Sequence, residues 1–241
     1  MNMSKHGEIM MSEIRQTPEI FSKIIANDQI TPQLAALITD SSIKSILILA
    51  RGTSDNAAHF MKYLVETQLG LPCGLTSPSS VSIYKSKLHY ENTLVVAISQ
   101  SGKSTDLVQF AKSSKESGAK LVSITNDSRS PLAQVADFHI SLQAGPEIAV
   151  AATKSYSAQL LLSYLLVMKW ANKAPQIDKL VSEAEAALGQ EAVIKELAKG
   201  IDLKGDLVVL GRGFAYPNAK EAALKIQERS EEHTSVLQSR G

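Results

Sequence analysis

At 241 residues, 44% hydrophobic and 20% charged, the chain is long enough for one complete α/β core and part of another. A net charge of +1 gives no basic surplus for tracking a polyphosphate backbone, and a lone cysteine, Cys73, leaves neither an internal disulfide nor a cysteine-rich metal site. The opening "MNMSKHGEIMMSEIRQTPE" lacks the apolar stretch of an export signal, and the longest apolar run, "QLLLSYLLVMKWA", falls short of the roughly 20 residues that cross a bilayer. The expectation is a cytoplasmic protein with no nucleic-acid or membrane partner.

In chain order, residues 1–42 read as a helical lead-in, with Ile9, Ile14, Ile20, Ile24, Ile25, Leu34, Leu37 and Ile38 at helical spacing and Pro18 and Pro32 as punctuation. From residue 43 to 172 the texture changes to short β-branched runs, "SILILA", "PCGLTS", "TLVVAIS", "AKLVSIT" and "FHISL", alternating with helical patterns. Five strands separated by helices predict a parallel sheet covered on both faces, with ligands held beyond the carboxyl ends of the strands. Residues 173–200 are helical and charged, as suits a connector. Residues 201–228 restart the order of strand, glycine turn and helix in "GDLVVLGRGFAYPNAKEAALKIQE", which predicts the start of a second, incomplete copy of the first fold. The last stretch, 229–241, "RSEEHTSVLQSRG", breaks the helical pattern and resembles the translation of a sequencing-library adapter. It is expected to be non-native, the natural frame ending at Glu228.

Two loops concentrate polar chemistry. In "LVVAISQSGKSTDLVQF" the Gly-Lys-Ser invites a Walker A reading, but Ala97 stands where that motif needs its first glycine. What remains is Ser99, Gln100, Ser101, Ser104 and Thr105 around Gly102 at a helix start, where unpaired amides and the positive helix end favour an anion. Helix capping by Ser99 or Ser101 is the plainer use, yet it accounts for one serine and not for four hydroxyls and an amide. A single phosphate or a sugar fits this set better than a triphosphate. The turn "ARGTSDNAAHF" puts Gly52, Thr53 and Ser54 at an equivalent strand end. In "GPEIAVAATKSY" small residues allow close approach to the backbone or merely tight helix packing. Lys225 and Glu228, spaced i and i+3, share a helix face. They form either a solvated ion pair or a proton-transfer carboxylate beside a charge-stabilising lysine. The "GRG" at 211–213 has Tyr216 where a dinucleotide fingerprint needs its third glycine, no histidine pair has metal-ligand spacing, and no G-x-S-x-G elbow occurs.

Taken in order, "ARGTSDNAA", "ISQSGKSTD", "EIAVAATKSY" and "GRGFAYPNAKEAALKIQE" resemble the SIS (sugar isomerase) family. More narrowly they resemble its paired-SIS members, the aminosugar-6-phosphate deaminases and the isomerase half of glutamine:fructose-6-phosphate amidotransferase. The resemblance implies a flavodoxin-like five-stranded sheet per copy, a hexose 6-phosphate ligand, no metal or organic cofactor, and a homodimer. By motif it places Ser99, Gln100, Ser101 and Ser104 on the phosphate and Ser54 on a sugar hydroxyl. Val150 would meet the sugar through its backbone, Glu228 would move the proton between C1 and C2, and Lys225 would stand beside it. The ring-opening histidine and a C-terminal lysine of the family would lie beyond Glu228. Lys103, Ser104 and Ala152 depart from the amidotransferase pattern toward the deaminases, and nothing before the SIS motifs supplies a glutaminase. The implied activity is deamination of glucosamine 6-phosphate to fructose 6-phosphate. The alternatives are an aminotransferase or isomerase without a glutaminase domain, or a non-catalytic sugar-phosphate sensor.

Overall fold

The computed structural model describes residues 3–201 and 207–230. Its lead-in is three helices, α1 (Met3–Ile14), α2 (Thr17–Ala26) and α3 (Pro32–Ile38). The two prolines do what their fixed φ allows at a first helical turn. Pro18 opens α2, and Pro32 opens α3 behind Thr31, whose hydroxyl accepts from the Leu34 amide at 3.2 Å. Ile20, Ile24, Leu34 and Ile38 are buried, so this segment is part of the core and not an arm.

The five strands are β1 (Ser45–Leu49), β2 (Cys73–Leu75), β3 (Thr93–Ser99), β4 (Lys120–Thr125) and β5 (Phe138–Ser141). All neighbours pair in parallel, in the order β2-β1-β3-β4-β5, the flavodoxin-like arrangement. Every residue of central β3 is buried, because helices cover both faces. Leu94, Val96 and Ile98 join Ile46, Ile48, Val122 and Ile124 in one core layer, against α4 (Thr53–Gln68), α8 (Lys154–Trp170) and the lead-in. Val95 and Ala97 face the other way, onto Leu107, Phe110 and Ala111 of α6 (Thr105–Glu116) and Leu132 of α7 (Pro131–Val135). A one-turn helix, α5 (Ser79–Ser82), follows β2. The apolar run from Gln159 is the core of α8, buried almost all round, and no described helix is long and apolar enough to cross a membrane.

Beyond α8 come α9 (Leu180–Leu188), which lies along α2, and α10 (Glu191–Lys199), separated at Gly189 and Gln190. The strand expected at "DLVVL" does not form over 207–210: these residues pair with no strand among the described residues, and Leu210 is 87% exposed. A strand needs a ladder partner for its backbone, and among the described residues no second sheet offers one. The helix that follows, α11 (Ala215–Ser230), does form, because it packs on α4. The Phe214 ring meets those of Phe60 and Tyr63 at 5.7 and 5.8 Å. Residues 231–241, most of the stretch expected to be foreign, lie outside the described residues.

Candidate functional site

Chain order reverses between β1 and β3, so the connections leaving their carboxyl ends diverge to opposite faces and open a crevice there. Residues 50–53 and 99–105 line that edge. The second loop is built around Gly102, at φ +63°. A Cβ there would lie 2.3 Å from Ser130 Oγ and 2.7 Å from Ser130 Cβ, so the close approach of the two loops requires glycine. The approach is fixed by the Leu132 amide donating to the Gly102 carbonyl at 3.1 Å.

The serines divide their work. Ser99, buried, accepts the Gly102 amide at 3.1 Å, and Ser101 accepts the Lys103 amide at 3.3 Å, so both shape the turn and neither caps the helix. Ser104 occupies the N-cap position of α6, yet its side chain makes no capping bond. The capping use weighed from sequence is therefore not what these hydroxyls do. The N-terminal amides of α6 and the Ser104 hydroxyl front an open cleft of about 630 Å³, lined also by Arg51, Ser79, Ser82, Ile83 and Thr105. Arg51 donates to the Asp106 carboxylate at 2.8 Å, offsetting the one negative charge in the first turn of α6.

The β1 turn has a second side. Gly52, at φ +56°, precedes α4, and Thr53 faces α11. Its hydroxyl donates to Glu221 Oε1 at 3.1 Å and accepts from Lys225 Nζ at 2.8 Å. Lys225 pairs with Glu221 at 2.8 Å and with Glu228 at 3.0 Å, and Asn56 Nδ2 donates to Glu221 Oε2 at 2.7 Å. Lys225 and Glu228 are thus brought together as their spacing predicts, on a helix face that also meets the β1 turn. Glu221 and Asn56, both buried, were not singled out from sequence. The i, i+4 spacing of Glu221 and Lys225 was the available signal. Beside them Tyr156 donates to Asn218 Oδ1 at 2.9 Å, and burial, then the Glu221 charge, push its phenol well above the ordinary range.

Ser54 is turned inward, its hydroxyl accepting from Gln159 Nε2 at 3.0 Å between α4 and α8. Val150 is exposed on the segment joining β5 to α8. That segment is tied to the Gln100 loop through Asn126. The Asn126 amide donates to the Gln100 carbonyl at 3.0 Å, while its side chain accepts from the Ala144 amide at 3.0 Å and donates to the Gly145 carbonyl at 2.6 Å. Among the described residues no cluster of three or more His, Cys, Asp or Glu side chains could hold a metal ion.

The chain belongs to the SIS domain family, whose model matches residues 41–169. The glutamine–fructose-6-phosphate aminotransferase (isomerizing) of Clostridium tetani is 30% identical over 250 residues, covering 96% of this chain and 41% of that protein. This chain thus spans well under half the length of that relative. The C-terminal domain of glucosamine-fructose-6-phosphate aminotransferase from Francisella tularensis superposes with a TM-score of 0.76 at 30% identity, over 92% of this chain and 67% of that one. Glucosamine-6-phosphate deaminase from Thermotoga maritima, at 21% identity and TM-score 0.74 over 95% of this chain and 72% of that one, shares the fold.

Proposed function

We propose that the crevice binds a hexose 6-phosphate and that the parent protein deaminates glucosamine 6-phosphate to fructose 6-phosphate and ammonia. The observation that carries the reading is the head of α6, where uncapped amides and an unengaged Ser104 hydroxyl face a cleft whose one carboxylate, Asp106, is already paired. Such a helix start favours a compact anion. Ser99, Gln100, Ser101 and Ser104 are assigned to the phosphate, Ser54 and the Val150 backbone to the sugar, with Gly52, Thr53 and Gly102 supporting the turns; Ser54, Ser99 and Ser101 accept hydrogen bonds from the protein and keep their own protons to donate.

On the other side of the β1 turn, Glu228 is assigned the proton transfer. It takes the C2 proton of the opened aldehyde form and returns it to C1, leaving a C2 imine that water hydrolyses to the ketone, releasing ammonia. Lys225, beside it at 3.0 Å, stabilises negative charge on the oxygen at C1. Residues 43–172 are read as one SIS unit, 173–200 as its connector and 201–228 as the start of a second, in a cytoplasmic homodimer.

An aminotransferase or isomerase running on the same intermediates is the second reading. It is favoured by relatives at 30% identity that carry the aminotransferase name. Ammonia release from glucosamine 6-phosphate separates the two, measured on this chain and on its full-length parent. Release by the parent with little or none by this chain is expected; a parent that binds the sugar but releases no ammonia refutes the deaminase.

A further inference from the structure

We infer that Glu13, on the lead-in helix α1, is a positioning residue for the sugar ring: its carboxylate holds the backbone of residues 148–149 and so sets where Val150 is presented. The inference rests on the hexose 6-phosphate reading and adds a part of the chain that lies outside the α/β unit. Glu13 is only 4% exposed, an expensive place for a charge unless it is paired. Among the described residues it is paired with backbone alone: the amides of Ile148 and Ala149 both donate to it, the latter at 3.2 Å. Two successive amides on one carboxylate fix the peptide plane between them.

The same segment is fastened on both flanks. Lys154, fully buried at the start of α8, donates to Gln16 Oε1 at 2.8 Å and to the Pro146 carbonyl. Glu147 accepts from the Thr153 amide at 2.8 Å and from the Ser155 amide at 3.2 Å, taking the place of a helix cap. Three buried or part-buried charges, two of them committed to the lead-in, therefore hold a short loop whose tip, Val150, is 80% exposed. Packing does not explain so much fastening behind a side chain that touches little. Presenting the backbone at 148–150 in one orientation does, and Asn126 couples this loop to the carbonyl of Gln100.

The test is a residue-resolved amide NMR titration of this chain and of Glu13→Gln and Glu13→Asp, with fructose 6-phosphate and separately with inorganic phosphate. In the wild type both ligands shift amides of residues 99–105, and only the sugar ester shifts 148–150. Glu13→Gln, which sets an amide donor against a backbone donor, should weaken the sugar ester by roughly ten-fold or more. Inorganic phosphate should be unaffected, and Glu13→Asp, which keeps the charge, should fall between. Equal weakening of both ligands, or no weakening of the sugar ester, overturns the positioning role. A wild type that binds neither ligand refutes the sugar-phosphate reading itself. Should Glu13→Gln not fold, the same comparison made with Glu13→Asp decides.

Discussion

Gly102→Ala tests the turn on which the crevice depends. Two penalties combine. Holding a non-glycine residue at φ +63° costs roughly 1–2 kcal/mol, and forcing a methyl into a filled site costs about 1–3 kcal/mol. The new Cβ would sit 2.3 Å from Ser130 Oγ and 2.7 Å from Ser130 Cβ, with Thr125 Cγ2 next at 3.1 Å. A loss of about 2–5 kcal/mol follows, out of a total of about 5–15 kcal/mol for a domain. With a urea slope of about 1–3 kcal/mol per molar, the unfolding midpoint should fall by roughly 0.7 M or more.

Ser130→Gly supplies the control. It removes both nearest atoms, and it costs only a few tenths of a kcal/mol as a cap of α7, where Ser130 now accepts the Ala133 amide at 3.3 Å. In the Gly102→Ala background it should therefore restore most of the overlap share and leave the backbone share. A Gly102→Ala chain within about 0.5 kcal/mol of wild type would show that the turn is not held as described. Failure of Ser130→Gly to relieve it would place the clash elsewhere.

Two further outcomes separate binding from structure. Ser104→Ala removes a hydroxyl that makes no capping bond, so the unfolding free energy should change by no more than the few tenths of a kcal/mol usual at such a surface position. Fructose 6-phosphate affinity, by the same amide titration, should drop about ten-fold; a stability loss near 1 kcal/mol without an affinity loss would return Ser104 to simple capping. Cys73 is buried, and burial pushes its thiol up to about 12, above the roughly 8.5 of a free cysteine. Between these two values the unfolded chain has released a proton that the folded chain keeps, so folded stability should fall as pH rises. The slope is at most about 1.4 kcal/mol per pH unit. Urea melts at pH 9 and 10.5, wild type against Cys73→Ala, check this; an identical pH slope in both would refute it.

Much of the α/β unit was legible in the sequence. "TLVVAIS" reads as an uninterrupted buried strand because helices cover both faces of the sheet, and β3 is indeed buried at every position. The pattern at 207–210 does not become a strand for the complementary reason: a local pattern states that a segment is able to pair, and only a neighbour makes it pair. At the site, spacing found Lys225 and Glu228 because they are one helical turn apart. It could not find the partner of Glu221, since Thr53 lies 168 residues away. The distinction between Thr53 and Ser54 was also beyond reach. Consecutive residues at a helix start point in different directions, and only the register of α4 against α8 and α11 turns Ser54 toward Gln159 and Thr53 toward Lys225.

That register explains why the β1 turn joins two separate polar clusters. Arg51 reaches one way, to Asp106 at the head of α6, and Thr53 reaches the other, to Glu221 and Lys225 on α11. Two residues apart, they belong to surroundings of opposite character: one the hydroxyls and amides at the head of α6, proposed to hold an anion, the other buried Glu221 with Lys225 and part-buried Glu228, proposed to move a proton. Only a backbone bent sharply at the residue between them can serve both, and Gly52, at φ +56° and ψ −134°, holds a conformation that side chains strongly disfavour. The glycine is thus required by the backbone conformation of the turn and not by crowding, since no atom lies within 4 Å of where its Cβ would be.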